Sequence, residues 1–253
     1  MNRLQSTATF EAQPASALAH LSGLAREPHF GSAVYRPAQG ETHVALFAPL
    51  HYEPNYAYPL LVWLHGPGDD ESQLKRIMPL VSVRNYVAAA PRGPRRQDSA
   101  AGKAGYRWPQ SPAELLEAEH RVFEAIEMAQ TRFNISPRRI FVAGFDAGGT
   151  MAFRLAMEHP RHFAGVLSLA GAFPTRQAAL RRLVDARRVP VFLACGRDSR
   201  GYDSLTVCRD LKLFHSAGMD VALRQYPCGQ EIAPAMLGDM DRWIMEQVTG
   251  ASG

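Results

Sequence analysis

Only three cysteines occur in the 253 residues, Cys195, Cys208 and Cys228. That number and spacing exclude a disulfide framework and a cysteine-rich metal site. No run approaches the roughly 20 apolar residues of a membrane span, and Met1 to Leu24 lacks the continuous apolar segment of a secretory signal. These absences predict a cytoplasmic protein, held reduced, with no membrane span. Charge of neither sign dominates, since 28 Lys and Arg face 24 Asp and Glu for a net +4. Arginines gather at Arg92, Arg95 and Arg96 and again at Arg176, Arg181, Arg182, Arg187 and Arg188. Without aromatic interleaving or a nucleic-acid motif, these read as solvated faces, and no nucleic-acid partner is expected. Of nine histidines, none lies beyond His215.

The remaining composition is that of an ordinary globular chain, 46% hydrophobic and 21% charged. Residues 1–40, rich in Ala, Pro and Gly, read as a lead-in with a short helix over 16–25. From 41 to 250 the pattern is one domain, in which strands and helices alternate. Strands are predicted over 43–52, 59–65, 85–90, 139–144, 164–170, 189–195 and 220–226. Helices are predicted over 71–81, 113–132, 149–158, 175–186 and 203–217, with a last helix carrying Met236, Met240 and Trp243 on one face. Pro59 to His65 is almost continuously apolar, as a strand covered on both sides requires. In the helix over 113–132, Leu115, Val122 and Ile126 share an apolar face with Leu116 and Phe123. Pro91 to Pro112 is the one long irregular stretch, with Tyr106 and Trp108 near its end. Such alternation implies a mostly parallel sheet with helices on both faces, and no segment is long enough for a separate cap domain.

The most informative segment is Arg139-Ile-Phe-Val-Ala-Gly-Phe-Asp-Ala-Gly-Gly149. An apolar strand runs into Gly144-Phe145-Asp146-Ala147-Gly148, and a helix pattern follows. This is the G-x-S-x-G layout of a nucleophile elbow with Asp146 in place of serine. In a parallel sheet, ligands bind at the carboxyl ends of strands, and three further strand ends carry suggestive residues. His65-Gly66-Pro67-Gly68-Asp69-Asp70 resembles the His-Gly loops that offer backbone N–H groups to an oxyanion. Cys195-Gly196-Arg197-Asp198 and Cys228-Gly229-Gln230-Glu231 follow the later strands.

Taken together, these segments resemble the phospholipase/carboxylesterase family of α/β-hydrolases, which includes acyl-protein thioesterases. The likeness extends from about Val44 to the last helix and is strongest in Gly-Phe-Asp-Ala-Gly-Gly, His-Pro-Arg-His-Phe-Ala-Gly-Val and Tyr-Pro-Cys-Gly-Gln-Glu-Ile. It implies an α/β-hydrolase fold with Asp146 at the nucleophile position and Asp198 at the acid position, Asp203 being the alternative. Gln230 falls at the base position, and Gly66, Pro67 and Ala147 fall around the oxyanion hole. No cofactor or metal is implied.

Two of the three expected catalytic residue types are therefore changed. Glutamine neither gains nor loses a proton near neutral pH, so it cannot serve as the base of acyl transfer. The favoured expectation is a pseudo-hydrolase, whose former cleft binds a small molecule or a protein, with Asp146 and Gln230 as a static polar pair and the carboxylate near the oxyanion pocket. One alternative is an active carboxylesterase or thioesterase using other residues, with His159, His162 or His215 as base or Cys195 or Cys228 as thiol. Another is an Asp-nucleophile hydrolase of the dehalogenase or epoxide-hydrolase kind, since a carboxylate is already ionised near neutral pH. A cation held by Asp69, Asp70, Asp146 and Asp198 lacks a ligand-spacing motif, and helix capping is the plainer role for such loop aspartates. Trp108 and Tyr106 could line a cleft or anchor a loop, and Ser168 reads as structural.

Overall fold

The computed structural model describes residues 33–35, 43–95, 105–108, 111–174 and 181–250. The expected helix over 16–25, the first half of that over 175–186, and Arg96 and Arg176 lie outside the described residues.

Eight strands form one sheet: β1 (Ala33–Tyr35), β2 (Val44–Phe47), β3 (Tyr58–Leu64), β4 (Val87–Pro91), β5 (Ile135–Phe145), β6 (Gly165–Leu169), β7 (Val191–Gly196) and β8 (Val221–Tyr226). Their spatial order is β1-β2-β4-β3-β5-β6-β7-β8. The pairs β1–β2 and β2–β4 are antiparallel and the rest parallel. The helices are α1 (Gln73–Val81), α2 (Pro112–Arg132), α3 (Ala147–Glu158), a single turn α4 (Leu183–Ala186), α5 (Ser204–Ala217) and α6 (Pro234–Gly250). No cap domain interrupts this alternation among the described residues, and no helix there is long and apolar enough to cross a membrane.

Period-two alternation divides the core between the two faces of the sheet. On β3, Leu60, Val62 and Leu64 join one cluster with Val122 and Ile126 of α2, Met151 and Leu155 of α3, and Phe214 of α5. Leu61 and Trp63 face the other way, toward Leu74 and Ile77 of α1 and Met236, Met240 and Trp243 of α6. Being buried on both sides explains the unbroken apolar run of β3.

Three details depart from the sequence pattern. β2 stops at Phe47, well short of residue 52, because a turn begins at Leu50 and His51 takes φ +57°. β5 begins at Ile135, four residues early. Its irregular start pairs Tyr58 with Ile135 and then Leu60 with Ile140, so Pro137 falls in the irregular stretch where no ladder N–H is needed. Leu116 is 70% exposed, while Leu115 and Phe123 pack partly against the core, so the apolar face of α2 is narrower than its sequence suggests.

Candidate active site at the elbow

Asp146 sits between β5 and α3 at φ +52°, ψ −118°. A non-glycine residue adopts this region only under constraint, at a cost of about 1–3 kcal/mol. The constraint is visible on both sides. The Asp146 N–H donates to Leu169 O at 2.9 Å, and Thr150 N–H donates back to Asp146 O at 3.0 Å. The flanking glycines make the turn possible. A Cβ on Gly144 would lie 2.8 Å from Gly149 N, and one on Gly148 would lie 2.6 Å from His65 O. Both contacts are with backbone that cannot swing away.

The Asp146 carboxylate makes no capping bond to its own helix. Its Oδ2 accepts from Gln230 Nε2 at 2.9 Å, and the same nitrogen donates to Ala170 O at 3.1 Å. Two acceptors at this end identify the nitrogen of the amide. The other end, Gln230 Oε1, accepts from the Ser199 hydroxyl, whose oxygen in turn accepts from Tyr202 N–H at 3.1 Å. Gly201 backs this amide, since a Cβ there would come within 2.9 Å of Gln230 Cδ. The expected polar pair of Asp146 and Gln230 is thus in contact. As for the expectation that the carboxylate lies near the oxyanion pocket, no bond from it to the N–H groups of α3 is formed.

Asp198, expected at the acid position, does not reach Gln230. Its side chain is 66% exposed and lies 3.6 Å from Arg197 Nε. The loop explains this. Arg197 N–H bonds Tyr226 O and Asp198 N–H bonds Cys228 O, which turns residue 198 outward and residue 199 inward. Asp203 is the N-cap of α5, accepting from Thr206 N–H at 2.9 Å. The residue holding Gln230 is Ser199, 6% exposed.

The three oxyanion-hole candidates fare unequally. Pro67, expected around the oxyanion hole, has no N–H to give and can line it without donating. Gly66 N–H donates to Gln73 Oε1 at 3.3 Å, an oxygen that also accepts from Trp63 Nε1 at 2.7 Å. Ala147, in the first turn of α3, has no acceptor among the described residues.

His65 is fully buried and structural. Gly93 N–H donates to its Nε2 at 3.0 Å, so its Nδ1 carries the proton and donates to Gly66 O at 2.8 Å. Burial holds this imidazole below the ordinary histidine pKa. Trp108, 2% exposed, donates from Nε1 to His65 O at 2.9 Å, and Tyr106 lies 4.6 Å beneath the Arg92 guanidinium. Both aromatics therefore anchor the irregular stretch. Ser168 is structural too, its hydroxyl donating to Gly171 O.

The other candidate groups stand apart from Asp146. His159 contacts Glu119 at 2.8 Å and lies beyond the far end of the 12-residue α3, about 18 Å along the helix. His162 packs on Phe123, and His215 closes the last turn of α5. Burial pushes the Cys195 and Cys228 thiols up, disfavouring the thiolate. The aspartates do not converge. Asp69 accepts from Gln73 and Arg76, Asp70 caps Ser72 N–H at 2.9 Å, and no group of three His, Cys, Asp or Glu is placed to hold a metal among the described residues.

A parallel sheet whose central strand ends in a strained turn, followed by a helix and flanked by a His-Gly loop, defines an α/β-hydrolase. Residues 53–247 match the model of the phospholipase/carboxylesterase family, and the chain belongs to that family. Over 126 residues it is 32% identical to NocK of Nocardia uniformis subsp. tsuyamanensis, a protein named as an esterase, covering 49% of this chain but only 36% of that relative. It is 24% identical to a carboxylesterase-named protein of Oryza sativa subsp. japonica over 217 residues, 78% of this chain and 91% of the other. The carboxylesterase from Mesorhizobium loti superposes with a TM-score of 0.67 at 17% identity, covering 85% of this chain and 98% of its own. For acyl-protein thioesterase 2 of Zea mays the TM-score is 0.64 at 17% identity, covering 83% and 99%. At these identities the superpositions establish the shared fold.

Proposed function

We propose that this chain is a pseudo-hydrolase of its family. The cleft above the elbow is kept as a binding site for a small molecule or a protein, and acyl esters are not turned over. In this reading Asp146, Ser199 and Gln230 stand in the seats of nucleophile, acid and base, and residues 41–250 form the hydrolase domain. The free thiols of Cys195, Cys208 and Cys228 suit a cytoplasmic location.

The supporting observation is the committed state of the Gln230 amide. Both directions of its nitrogen are used, on Asp146 Oδ2 and Ala170 O, and its oxygen is used by Ser199. Acyl transfer needs a base that takes a proton from the nucleophile and returns it to the leaving group. An amide locked in this way has no site for that proton. The carboxylate adds a fixed negative charge at the residue that would present the nucleophile, and Pro67 gives its side of the hole no donor.

The test compares wild type with the triple variant Asp146→Ser/Ser199→Asp/Gln230→His on p-nitrophenyl acetate and butyrate. Wild type should hydrolyse at the buffer rate, and the variant at least tenfold faster. Sustained wild-type turnover that disappears in Asp146→Asn would sink the proposal. So would a stable mass adduct on Asp146 after exposure to 1-bromobutane or styrene oxide, which would instead mark a carboxylate nucleophile.

A further inference from the structure

β8 ends the sheet, and no strand pairs with its outer side among the described residues. Its ladder with β7 is regular, from Val191 opposite Val221 to Gly196 opposite Tyr226. The parity of that ladder decides which backbone groups are left over. Val191 N–H donates to Asp220 O and Arg197 N–H to Tyr226 O. In a parallel pair every second residue turns its N–H and C=O toward the neighbour. The even-numbered residues from Asp220 to Tyr226 therefore face β7, and Val221, Leu223 and Gln225 turn their N–H and C=O outward.

An open edge is a template for another strand, and native edges are commonly blunted by proline, lysine or a bulge. β8 has none of these. It carries instead two exposed charges of opposite sign, Asp220 just before the strand and Arg224 within it. Neither forms an ion pair among the described residues. The Arg224 guanidinium donates to Leu223 O at 3.2 Å, which places it on the open edge itself.

We propose that β8 pairs antiparallel with β8 of a second copy of this chain, about a two-fold axis at Ala222. Outward-facing residues must meet outward-facing residues, so the axis falls on a residue and not between two. At Ala222 the side chains match throughout. Asp220 lies opposite the partner's Arg224, and Arg224 opposite the partner's Asp220. These are non-hydrogen-bonded pairs, in which opposed side chains come closest. Ala222 meets its own copy on the axis and is small enough for that approach. On the other face Val221 lies opposite the partner's Leu223, both partly buried and apolar, and each such pair exchanges its N–H···O bonds. The Arg224 guanidinium then trades Leu223 O for a carboxylate, which frees that oxygen for the partner's Val221 N–H. An axis at Val221 or Leu223 would set Arg224 opposite Gly218 or Ala222 and leave both charges unmet. β5, which carries the elbow, lies inside the sheet away from this joint, so the pairing is independent of the elbow's chemistry.

Sedimentation velocity of the full chain, up to about 100 μM, is the test. A dimer is expected at low salt, with a Kd that rises with ionic strength. Asp220→Arg and Arg224→Asp should each weaken it at least ~tenfold, because each variant sets two like-charge pairs across the axis. Mixing the two variants in equal amounts should restore dimers, since each copy then meets its complement at both pairs. The double variant Asp220→Arg/Arg224→Asp should dimerise like wild type. A wild type that stays monomeric, or a dimer that neither charge reversal weakens, would overturn the proposal. Weakening in both single variants without recovery on mixing would overturn it as well, because the register centred on Ala222 requires that recovery.

Discussion

Adding one methyl group at residue 148 should dislodge the elbow, whereas the same change at residue 238 should strengthen the chain. A Cβ on Gly148 would lie 2.6 Å from His65 O and also press on Leu64 O. Leu64 is held in register opposite Gly144 of β5, so these oxygens cannot turn aside as a side chain would. The first turn of α3 must back away instead. Overpacking of this kind costs about 1–3 kcal/mol, and rigid neighbours argue for the upper end. The better helix propensity of alanine returns up to ~1 kcal/mol, leaving a net loss of about 2 kcal/mol. At roughly 2–4 °C per kcal/mol for a chain of this size, Gly148→Ala should melt about 4–8 °C lower. Gly238 lies exposed in α6, and its Cβ would meet nothing within 4 Å. Gly238→Ala should therefore gain up to about 1 kcal/mol and melt ~2–4 °C higher. Scanning calorimetry on the two variants and wild type reads both signs. A Gly148→Ala protein that melts within about 1 °C of wild type would refute the argument, because two backbone carbonyls would have yielded at no cost.

Two further outcomes are expected. Since burial holds His65 below 6.5, the unfolded chain binds this proton before the folded chain does as pH falls. Stability should therefore be level above about pH 6.5 and decline below it, by up to ~1.4 kcal/mol per pH unit from this group. Urea midpoints between pH 7.5 and 5 should show this slope in wild type and less of it in His65→Gln, and equal slopes would contradict the assignment. Tyr86 is fully buried and its hydroxyl donates to Asp241 Oδ1 at 2.6 Å, tying the start of β4 to α6. Tyr86→Phe should cost about 2 kcal/mol, as expected for a hydrogen bond to a charged group, and a urea-derived loss under about 0.5 kcal/mol would show the link to be idle.

The fold was readable wherever burial on two faces leaves an unbroken apolar signature. β3 and the strand leading to the elbow are of this kind, and Met236, Met240 and Trp243 mark the buried face of α6 as expected. Misreadings fall where tertiary placement overrides local pattern. Leu116 has the spacing of a core residue, yet near the start of α2 it stays 70% exposed while its neighbour Leu115 packs against the core. The early start of β5 could not be seen either, because Pro137 suggests a break and only pairing with Tyr58 recruits Ile135.

At the site, residue type misled where geometry decided. Asp146 could be found by motif because a close backbone approach demands glycine at 144 and 148, and Gln230 by its place in the loop after the last strand. The third partner had no such marker, and a search for a carboxylate selects Asp198 over its neighbour. In the turn that follows β7, with Ser199 N–H on Gly196 O and Asp198 N–H on Cys228 O, one position of offset exchanges a buried hydroxyl for an exposed ion. That exchange also fixes the direction of the network. Ser199 donates to the Gln230 oxygen, and the Gln230 nitrogen donates to Asp146, so the donors run one way, toward the carboxylate. A proton relay needs a central group that can reverse its roles, accepting at one moment and donating at the next. An amide has its oxygen and nitrogen fixed at opposite ends, and turning it over would set its N–H groups against the Ser199 hydroxyl and its oxygen against two acceptors. The same three contacts that satisfy the Gln230 amide thereby oppose the motion a catalytic base requires.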